Sequence, residues 1–336
     1  MATCSFVDAD IGKDCPEQWI PSAITTAFFM VPALIALDWG TSNLRASLLD
    51  PSGHSIEQRQ SAMGVMKVPP GTFDAVLVEL CGDWMQEHRL PLIASGMVGS
   101  RQGWKEAPYL DCPATLKQAA HQLTALEFEH PDLGSHKVHI APGLKCIDAN
   151  GQTDVMRGEE TQIWGAQLPP SSICVLPGTH SKWIWLDGEG DFQNFKTFMT
   201  GELYSLLTQH SILGRLMEIP ETNVPLKKDV FLRGVTLGIA GHAEVMHTLF
   251  AARTAGLMGQ LGASELPDFL SGILIGAEIG GVSLNAISQV HLLGEGSLCE
   301  RYTLAFLQEG ISVERVGEDA TTKGQWLLAK EAGLVK

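Results

Sequence analysis

Two segments of the sequence repeat one arrangement: a buried strand, a turn that starts with Gly-Thr, and a second strand. The first segment is ALIALDWGTSNLRASLLD at residues 33–50, and the second is ICVLPGTHSKWIWLD at residues 173–187. Apolar runs on both sides of each tight turn predict paired core strands. A chain of 336 residues is long enough for about two domains. The repeat therefore predicts an α/β protein with two similarly built lobes.

The residues between and after the two units alternate between helical and strand patterns. Phe73, Val76 and Leu77 begin a helical spacing that leads into the buried run LIASGMV. The cluster Pro169-Pro170-Ser171-Ser172 predicts the boundary between the lobes. We expect an N-terminal lobe at residues 33–170 and a C-terminal, nucleotide-binding lobe at residues 171–336. Residues 1–32 are interpreted as an extension that is disordered or precedes the true start.

Composition excludes several classes of partner. The formal net charge of -15 argues against nucleic acid and anionic membranes, because both require a basic surface. The apolar run at residues 20–37 contains Pro21 and Pro32, which argues against a membrane span. Seven scattered cysteines without a CxxC spacing indicate neither a zinc site nor a disulfide framework. We therefore predict a cytoplasmic protein with reduced thiols.

The first turn carries the residue types that bind a phosphate and its metal. Gly40 allows close approach of the backbone, and Thr41 and Ser42 offer hydroxyl and amide donors. Asp38 at the end of the strand suits a hydrated Mg²⁺, which keeps most of its waters and takes few carboxylates. A purely structural turn held by the aspartate is the alternative interpretation.

The second turn repeats this chemistry with Gly178, Thr179 and Ser181, so two facing turns would grip one phosphate chain. The segment lacks the G-x-S-x-G pattern of a serine nucleophile. Near the C-terminus, Gly294 and Gly296 lie in a further strand-to-helix turn that suits close approach of a nucleotide. The chain contains neither a G-x-G-x-x-G fingerprint nor a P-loop.

Two adjacent carboxylates, Glu159 and Glu160, precede the predicted lobe boundary at the start of a helical segment. A carboxylate at the cleft between the lobes would accept the proton of an alcohol during phosphoryl transfer. The alternative is that both glutamates only stabilise the N-terminus of the helix.

These elements occur in the order found in the FGGY carbohydrate kinases, and the chain more closely resembles the 2-dehydro-3-deoxygalactonokinase family. Six blocks from about residue 33 to the C-terminus carry this resemblance: DWGTSNLR (38–45), SGMVGSRQGW (95–104), MRGEETQ (156–162), PGTHSKW (177–183), FMTGELY (198–204) and LCERY (298–302). The resemblance implies an actin-like fold of two ribonuclease-H-like lobes. It also implies transfer of the ATP γ-phosphate to the 6-hydroxyl of 2-dehydro-3-deoxy-D-galactonate. In that case Glu159 corresponds to the general base, with Glu160 as the reserve, and ATP and Mg²⁺ are required.

A sugar acid needs a basic residue for its carboxylate. Arg101 lies in the glycine-rich GMVGSRQGW segment, where Trp104 would form an apolar wall, and Arg157 and Lys182 are competing candidates. A guanidinium suits bidentate recognition of a carboxylate. Glu160 is a further candidate for contact with the substrate. The sequence does not decide among these residues.

A second functional interpretation is an actin-like switch that uses ATP to grip a partner protein. The chain has no appended DNA-binding module, and it keeps a carboxylate where a general base is needed. We therefore expect small-molecule partners, a sugar acid and ATP, and a monomer or homodimer.

Overall fold

The computed structural model describes residues 31–219, 224–282, 287–294, 296–317 and 319–336. Residues 31–336 form one compact unit. The prediction of an N-terminal extension falls almost entirely on residues 1–30, which lie outside the described residues. None of the helices in the described part of the chain is long and apolar enough to cross a membrane.

Fourteen strands in the described ranges form three sheets. In chain order they are β1 Leu34–Trp39, β2 Leu44–Leu49, β3 Ser55–Ser61, β4 Leu92–Ser95, β5 Tyr109–Asp111, β6 Thr124–His130, β7 Gly134–Ile140, β8 Gly143–Ile147, β9 Thr153–Met156, β10 Ile173–Leu176, β11 Ser181–Leu186, β12 Phe192–Phe198, β13 Gln289–Leu292 and β14 Ser312–Arg315.

Helices join and cover these strands. They are α1 Phe73–His88, α2 Leu116–His121, α3 Glu159–Ala166, α4 Thr200–His210, α5 Lys228–Ala240, α6 Val245–Thr248, α7 Ala251–Leu257, α8 Leu266–Gly280, α9 Gly296–Gln308 and α10 Ala320–Glu331. Single 3₁₀ turns lie at Val65–Lys67, Met97–Gly99, Gly214–Leu216 and His242–Glu244.

The five strands of the second large sheet have the same spatial arrangement as the first five of the six strands in the first large sheet. The first is β3-β2-β1-β4-β7-β6 and the second is β12-β11-β10-β13-β14. In both, the first three strands are antiparallel and the fourth and fifth run parallel to the first. This confirms the predicted fold of two ribonuclease-H-like lobes. The small sheet β5-β8-β9 lies in the part of the chain between β4 and α3.

The strands at the centre of each sheet are apolar and buried. Ile35 and Leu37 of β1 are fully buried, as are Val175 of β10 and Ile184 of β11. Each Å² of apolar surface buried stabilises the fold by about 25 cal/mol, so these strands anchor both sheets. The glycine-containing turns follow at the carboxyl ends of the first strands. The core thus fixes where each Gly-Thr turn lies.

The last helix leaves the second sheet and returns to the first lobe. After β14, α10 packs against α3, α2 and β1. Its contact with α3 is a close glycine contact, because a Cβ atom on Gly165 or Gly324 would meet the backbone of the other helix. The predicted lobe limits, 33–170 and 171–336, stay a prediction, and α10 is the element that departs most from that simple division.

Candidate active site

A cleft of about 530 Å³ lies at the carboxyl ends of the central strands of both large sheets. Open α/β sheets bind ligands in this position. Its walls include eight of the residues predicted from the sequence: Asp38, Gly40, Thr41, Arg157, Glu159, Gly178, Thr179 and Gly294. The cleft therefore brings together both Gly-Thr turns, the candidate metal carboxylate and the candidate base.

The first Gly-Thr turn is held from behind by a neighbouring segment. The carbonyl oxygens of Gly40 and Thr41 accept hydrogen bonds from the amides of Val65 and Met66 at 3.0 and 3.2 Å. Gly64 packs so tightly on the turn that a Cβ atom there would overlap the backbone of Ser42. The turn is therefore rigidly supported, with Thr41 at the cleft.

The second turn has an equivalent support from α4. The carbonyl oxygen of Thr179 accepts a hydrogen bond from the amide of Glu202 at 3.0 Å. Gly201 packs on the second turn as Gly64 packs on the first, because a Cβ atom on Gly201 would overlap the backbone of Gly178. The Glu202 carboxylate lies 2.5 Å from Nε2 of His180, which also lines the cleft.

Asp38 is half-buried at the end of β1. Its Oδ2 lies 3.5 Å from Nη1 of Arg45, the residue opposite it on β2. Burial raises the pKa of Asp38, the Arg45 guanidinium opposes this increase, and the charge of Glu159 adds to it. Gly96, at a φ of 91°, packs beside the carboxylate, and both residues line the cleft. A carboxylate that lines the cleft and has one exposed basic partner suits a hydrated cation.

Glu159 is the first residue of α3, and its side chain is 27% exposed. Its Oε1 lies 3.3 Å from Nζ of Lys182, which is only 5% exposed. Its Oε2 accepts a hydrogen bond from the backbone amide of Arg157 at 3.1 Å. Lys182 reaches this carboxylate from β11, so one ion pair joins the two lobes across the cleft. The position and partial exposure of Glu159 suit a proton acceptor.

Glu160 has a different environment. It is fully buried, and the amide of Gly158 donates to Oε1 and Oε2 at 2.9 and 2.7 Å. Burial, together with the charge of Glu159, raises the pKa of Glu160 to about 7. The residue is absent from the described walls of the cleft. It stabilises the turn that presents Glu159.

Arg157 lies between the small sheet and the cleft. Its side chain is buried, Nη2 donates to the carbonyl of Ala107 at 2.8 Å, and the guanidinium stacks on Tyr109 with 4.2 Å between Cζ and the ring centroid. Nε and Nη1 have no hydrogen-bond partner among the described residues. A buried guanidinium in this state favours an anionic ligand.

Seven predicted residues are not among the described walls of the cleft: Ser42, Ser181, Gly296, Arg101, Trp104, Glu160 and Lys182. Arg101 is 84% exposed and lies 3.9 Å from Glu106. Trp104 packs against Trp39, Phe73 and Phe128 in the core of the first lobe, with ring centroids 5.2 to 6.1 Å apart.

Ser181 is buried beneath the second turn, where its hydroxyl lies 2.9 Å from that of Tyr302. Lys182 contacts the site through Glu159 rather than through the cleft wall.

Sequence reasoning did not single out the glycines that shape the site. Gly96 and Gly158 both have positive φ values, 91° and 111°, and pack against each other beneath the cleft. Gly64 and Gly201 support the two turns. The available signal for Gly96, Gly158 and Gly201 was their position within blocks that had already been identified, whereas Gly64 lies outside every block.

Comparisons with known proteins agree with this geometry. The family described as 2-keto-3-deoxy-galactonokinase matches residues 38–328. The chain is 39% identical over 293 residues to the 2-dehydro-3-deoxygalactonokinase of Escherichia coli K12, covering 86% of this chain and 94% of that protein.

A solved structure from Sinorhizobium meliloti, assigned as a 2-dehydro-3-deoxygalactonokinase, aligns with a TM-score of 0.81 and 34% identity, covering 88% of this chain and 98% of that one. The family match at residues 38–328 includes both Gly-Thr turns and α3. The chain belongs to the 2-keto-3-deoxy-galactonokinase family.

Proposed function

We propose that this protein transfers the γ-phosphate of ATP to the 6-hydroxyl of 2-dehydro-3-deoxy-D-galactonate. The observation that carries the proposal is that one cleft is lined by both Gly-Thr turns and by the Glu159 carboxylate. The names of the relatives, both 2-dehydro-3-deoxygalactonokinases, support the same acceptor. The alternative of a switch protein has no comparable support.

In the proposed reaction, Glu159 accepts the proton of the 6-hydroxyl as its oxygen bonds to the γ-phosphorus. The bond from that phosphorus to the β,γ-bridging oxygen breaks, and ADP leaves. Positioning and charge stabilisation account for most of the catalysis in such transfers. Lys182, 3.3 Å from Glu159, holds the carboxylate in the cleft.

Phosphate binding falls to the two turns. Thr41 and Thr179 line the cleft from opposite lobes, and Gly40 and Gly178 allow close approach of the backbone. Gly294 contributes a third glycine turn on the nucleotide side.

Asp38 is the residue that would hold Mg²⁺ through water. The donor set fits, because a half-buried carboxylate lines the cleft and Mg²⁺ prefers oxygen ligands with retained waters. The ion would neutralise charge on the phosphates. Arg45 would keep the Asp38 side chain in place.

For the substrate carboxylate, Arg157 is the best-supported of the three basic candidates. It lines the cleft, whereas Arg101 is exposed elsewhere and Lys182 already pairs with Glu159. Its Nε and Nη1 are buried without a hydrogen-bond partner among the described residues, and an unsatisfied buried guanidinium favours a nearby anion. Arg157→Lys should raise the KM for the sugar acid while leaving that for ATP unchanged.

The deciding experiment measures ADP release from Mg²⁺-ATP with and without 2-dehydro-3-deoxy-D-galactonate, and with its gluconate-derived epimer. We expect release only with a sugar acid, and faster release with the galactonate derivative. ADP release that does not depend on a sugar acid would favour the switch protein. Cytoplasmic location and a monomeric or homodimeric state stay predictions from the sequence.

A further inference from the structure

A buried carboxylate lies beneath the second Gly-Thr turn, outside the cleft. Glu278 of α8 is 3% exposed. It accepts hydrogen bonds from Nε1 of Trp183 at 2.8 Å, from the hydroxyl of Tyr302 at 2.5 Å and from the hydroxyl of Thr200. These three donors come from β11, α9 and α4, so one side chain connects four elements of the second lobe.

The donors lead directly to the turn by two routes. Through Tyr302, the network reaches the Ser181 hydroxyl at 2.9 Å, and the Ser181 oxygen accepts a hydrogen bond from the amide of Gly178 at 3.4 Å. Through Thr200, it fixes the start of α4, where Gly201 packs on Gly178. Glu278 is thus connected to the second turn through Tyr302 and Ser181, and through Thr200 at the start of α4.

We infer that Glu278 is a positioning residue for nucleotide binding, which holds the second Gly-Thr turn in shape for the phosphates of ATP without touching them. The inference rests on the proposed function of that turn. Burying a carboxylate costs free energy, and these three hydrogen bonds offset that cost. A charged acceptor that orients three donors has a specific geometric effect on the turn.

Burial raises the pKa of Glu278, and the hydrogen bonds from Thr200, Tyr302 and Trp183 oppose that increase. The donors therefore favour the ionised form in which the carboxylate accepts from all three. A glutamine of the same shape loses this charge and replaces one acceptor oxygen by a donor group. The orientation of the Tyr302 and Thr200 hydroxyls must then reverse.

The same helix provides a matched control. Asp268 is also buried, at 7% exposure, and accepts from Nη2 of Arg301 at 2.7 Å and from the amide of Lys227 at 2.9 Å. None of its partners among the described residues belongs to the second turn or its supports. Asp268→Asn removes a buried charge from α8 but leaves the Glu278 network intact.

The test compares Glu278→Gln, Tyr302→Phe and Asp268→Asn with the wild type. Calorimetric titration with Mg²⁺-ADP in the absence of any sugar acid gives nucleotide affinity, steady-state kinetics give both KM values, and thermal unfolding gives Tm. We expect Glu278→Gln and Tyr302→Phe to weaken ADP binding and raise the KM for ATP about fivefold to tenfold, as for one or two weakened hydrogen bonds. The KM for the sugar acid should stay within about twofold, and Asp268→Asn should change only Tm.

Unchanged ADP affinity in folded Glu278→Gln, or an equal loss in Asp268→Asn, would overturn the inference. If Glu278→Gln does not fold, Tyr302→Phe decides, because it removes only the hydroxyl that links Glu278 to Ser181. Failure of the proposed function gives a different result. If the wild-type protein binds ADP but phosphorylates no sugar acid, the proposed substrate is wrong, and the comparison of ADP affinities among the variants is still valid. Wild-type protein that binds no ADP would overturn the inference as well.

Discussion

The two Gly-Thr turns connect strands in the same way, but the residue at the end of the first strand is acidic in one lobe and apolar in the other. Asp38 and Leu176 occupy the same place, two residues before the glycine at the end of the first strand of each sheet. Arg45 lies opposite Asp38, and Lys182 lies opposite Leu176. In the first lobe the basic residue therefore has a carboxylate beside it. In the second lobe it does not, and Lys182 pairs with Glu159 of the other lobe instead.

This difference separates the proposed tasks of the lobes. The candidate metal carboxylate and the candidate base both lie in the first lobe, while the second lobe supplies a supported turn and one buried ammonium group. A duplicated plan thus yields an asymmetric site, because a single strand-end residue is acidic in one copy and apolar in the other.

The largest expected effect belongs to Glu159, the proposed base, which only the first lobe carries. Glu159→Gln should lower kcat by about a thousandfold, since the amide cannot accept the proton of the hydroxyl. Mg²⁺-ADP affinity should stay within about threefold, because the proposed phosphate contacts come from the turns. Steady-state kinetics and calorimetry together check this.

The matched variant Glu160→Gln keeps the buried neighbour's shape and its hydrogen bond from Gly158. Its kcat should stay within about threefold of wild type if Glu159 is the base. The reverse pattern, a large loss in Glu160→Gln and none in Glu159→Gln, would assign the base to Glu160.

The next effect tests the acidic strand end itself. Asp38→Asn should lower kcat/KM by about a hundredfold and raise the Mg²⁺ concentration needed for half-maximal rate, because a neutral amide is a poorer ligand for a hydrated cation. Asp50→Asn is the control: it makes the same change at the other end of β2, where Asp50 holds a tight turn through the amides of Ser52 and His54. An Asp38→Asn enzyme with unaltered Mg²⁺ dependence would remove the metal role.

The two basic residues, Lys182 and Arg45, should contribute unequally to activity, because their ion pairs differ in burial. Lys182→Met should lower kcat/KM about tenfold, because it leaves the half-buried Glu159 without its counterion. Arg45→Met should cost about threefold or less, since Arg45 is 63% exposed and exposed ion pairs contribute little. Equal losses would mean that the lobes use their basic residues alike.

The comparison also shows what the sequence predicts well. The strand, Gly-Thr turn, strand units were found because central strands are continuous apolar runs and their turns need glycine. The position of Glu159 at the start of α3, in the cleft, was predicted by the motif around it. Both predictions depend on local patterns, which a single sequence contains.

Long-range packing was not predictable in the same way. Trp104 was expected at the substrate, but the loop folds back so that its ring joins the aromatic core. The hairpin β6-β7 and the small sheet β5-β8-β9 had no prediction, because their strands carry many polar residues or span only three to five residues. The return of α10 to the first lobe depends on a glycine contact with α3 that no local spacing reveals.

A smaller effect is expected from the feature that both turns share, a glycine packed closely against the backbone of the turn. Gly64→Ala and Gly201→Ala each place a methyl group into the backbone of the turn above, so each should raise the KM for ATP severalfold and destabilise the protein by about 1–3 kcal/mol. Gly188→Ala, in the β11-β12 hairpin with no atom within 4 Å of the added carbon, should change neither. A response confined to one of the two glycines would show that only that turn binds phosphate tightly.

The last effect concerns stability, with no expected loss of activity, and separates Glu160 from its neighbour. The pKa of Glu160 is about 7 in the folded protein, above the ordinary value of 4.5, so the folded state holds a proton that the unfolded state has lost between these pH values. Stability from this group therefore rises as pH falls from above 7 towards 4.5, by on the order of 3 kcal/mol in total. Glu160→Gln cannot titrate, so its free energy of unfolding relative to wild type should be higher at pH 8 than at pH 5.5, as measured by urea unfolding. A constant difference between the two proteins across this range would mean that the carboxyl group of Glu160 stays ionised throughout, and that the turn beneath Glu159 carries a full buried charge at neutral pH.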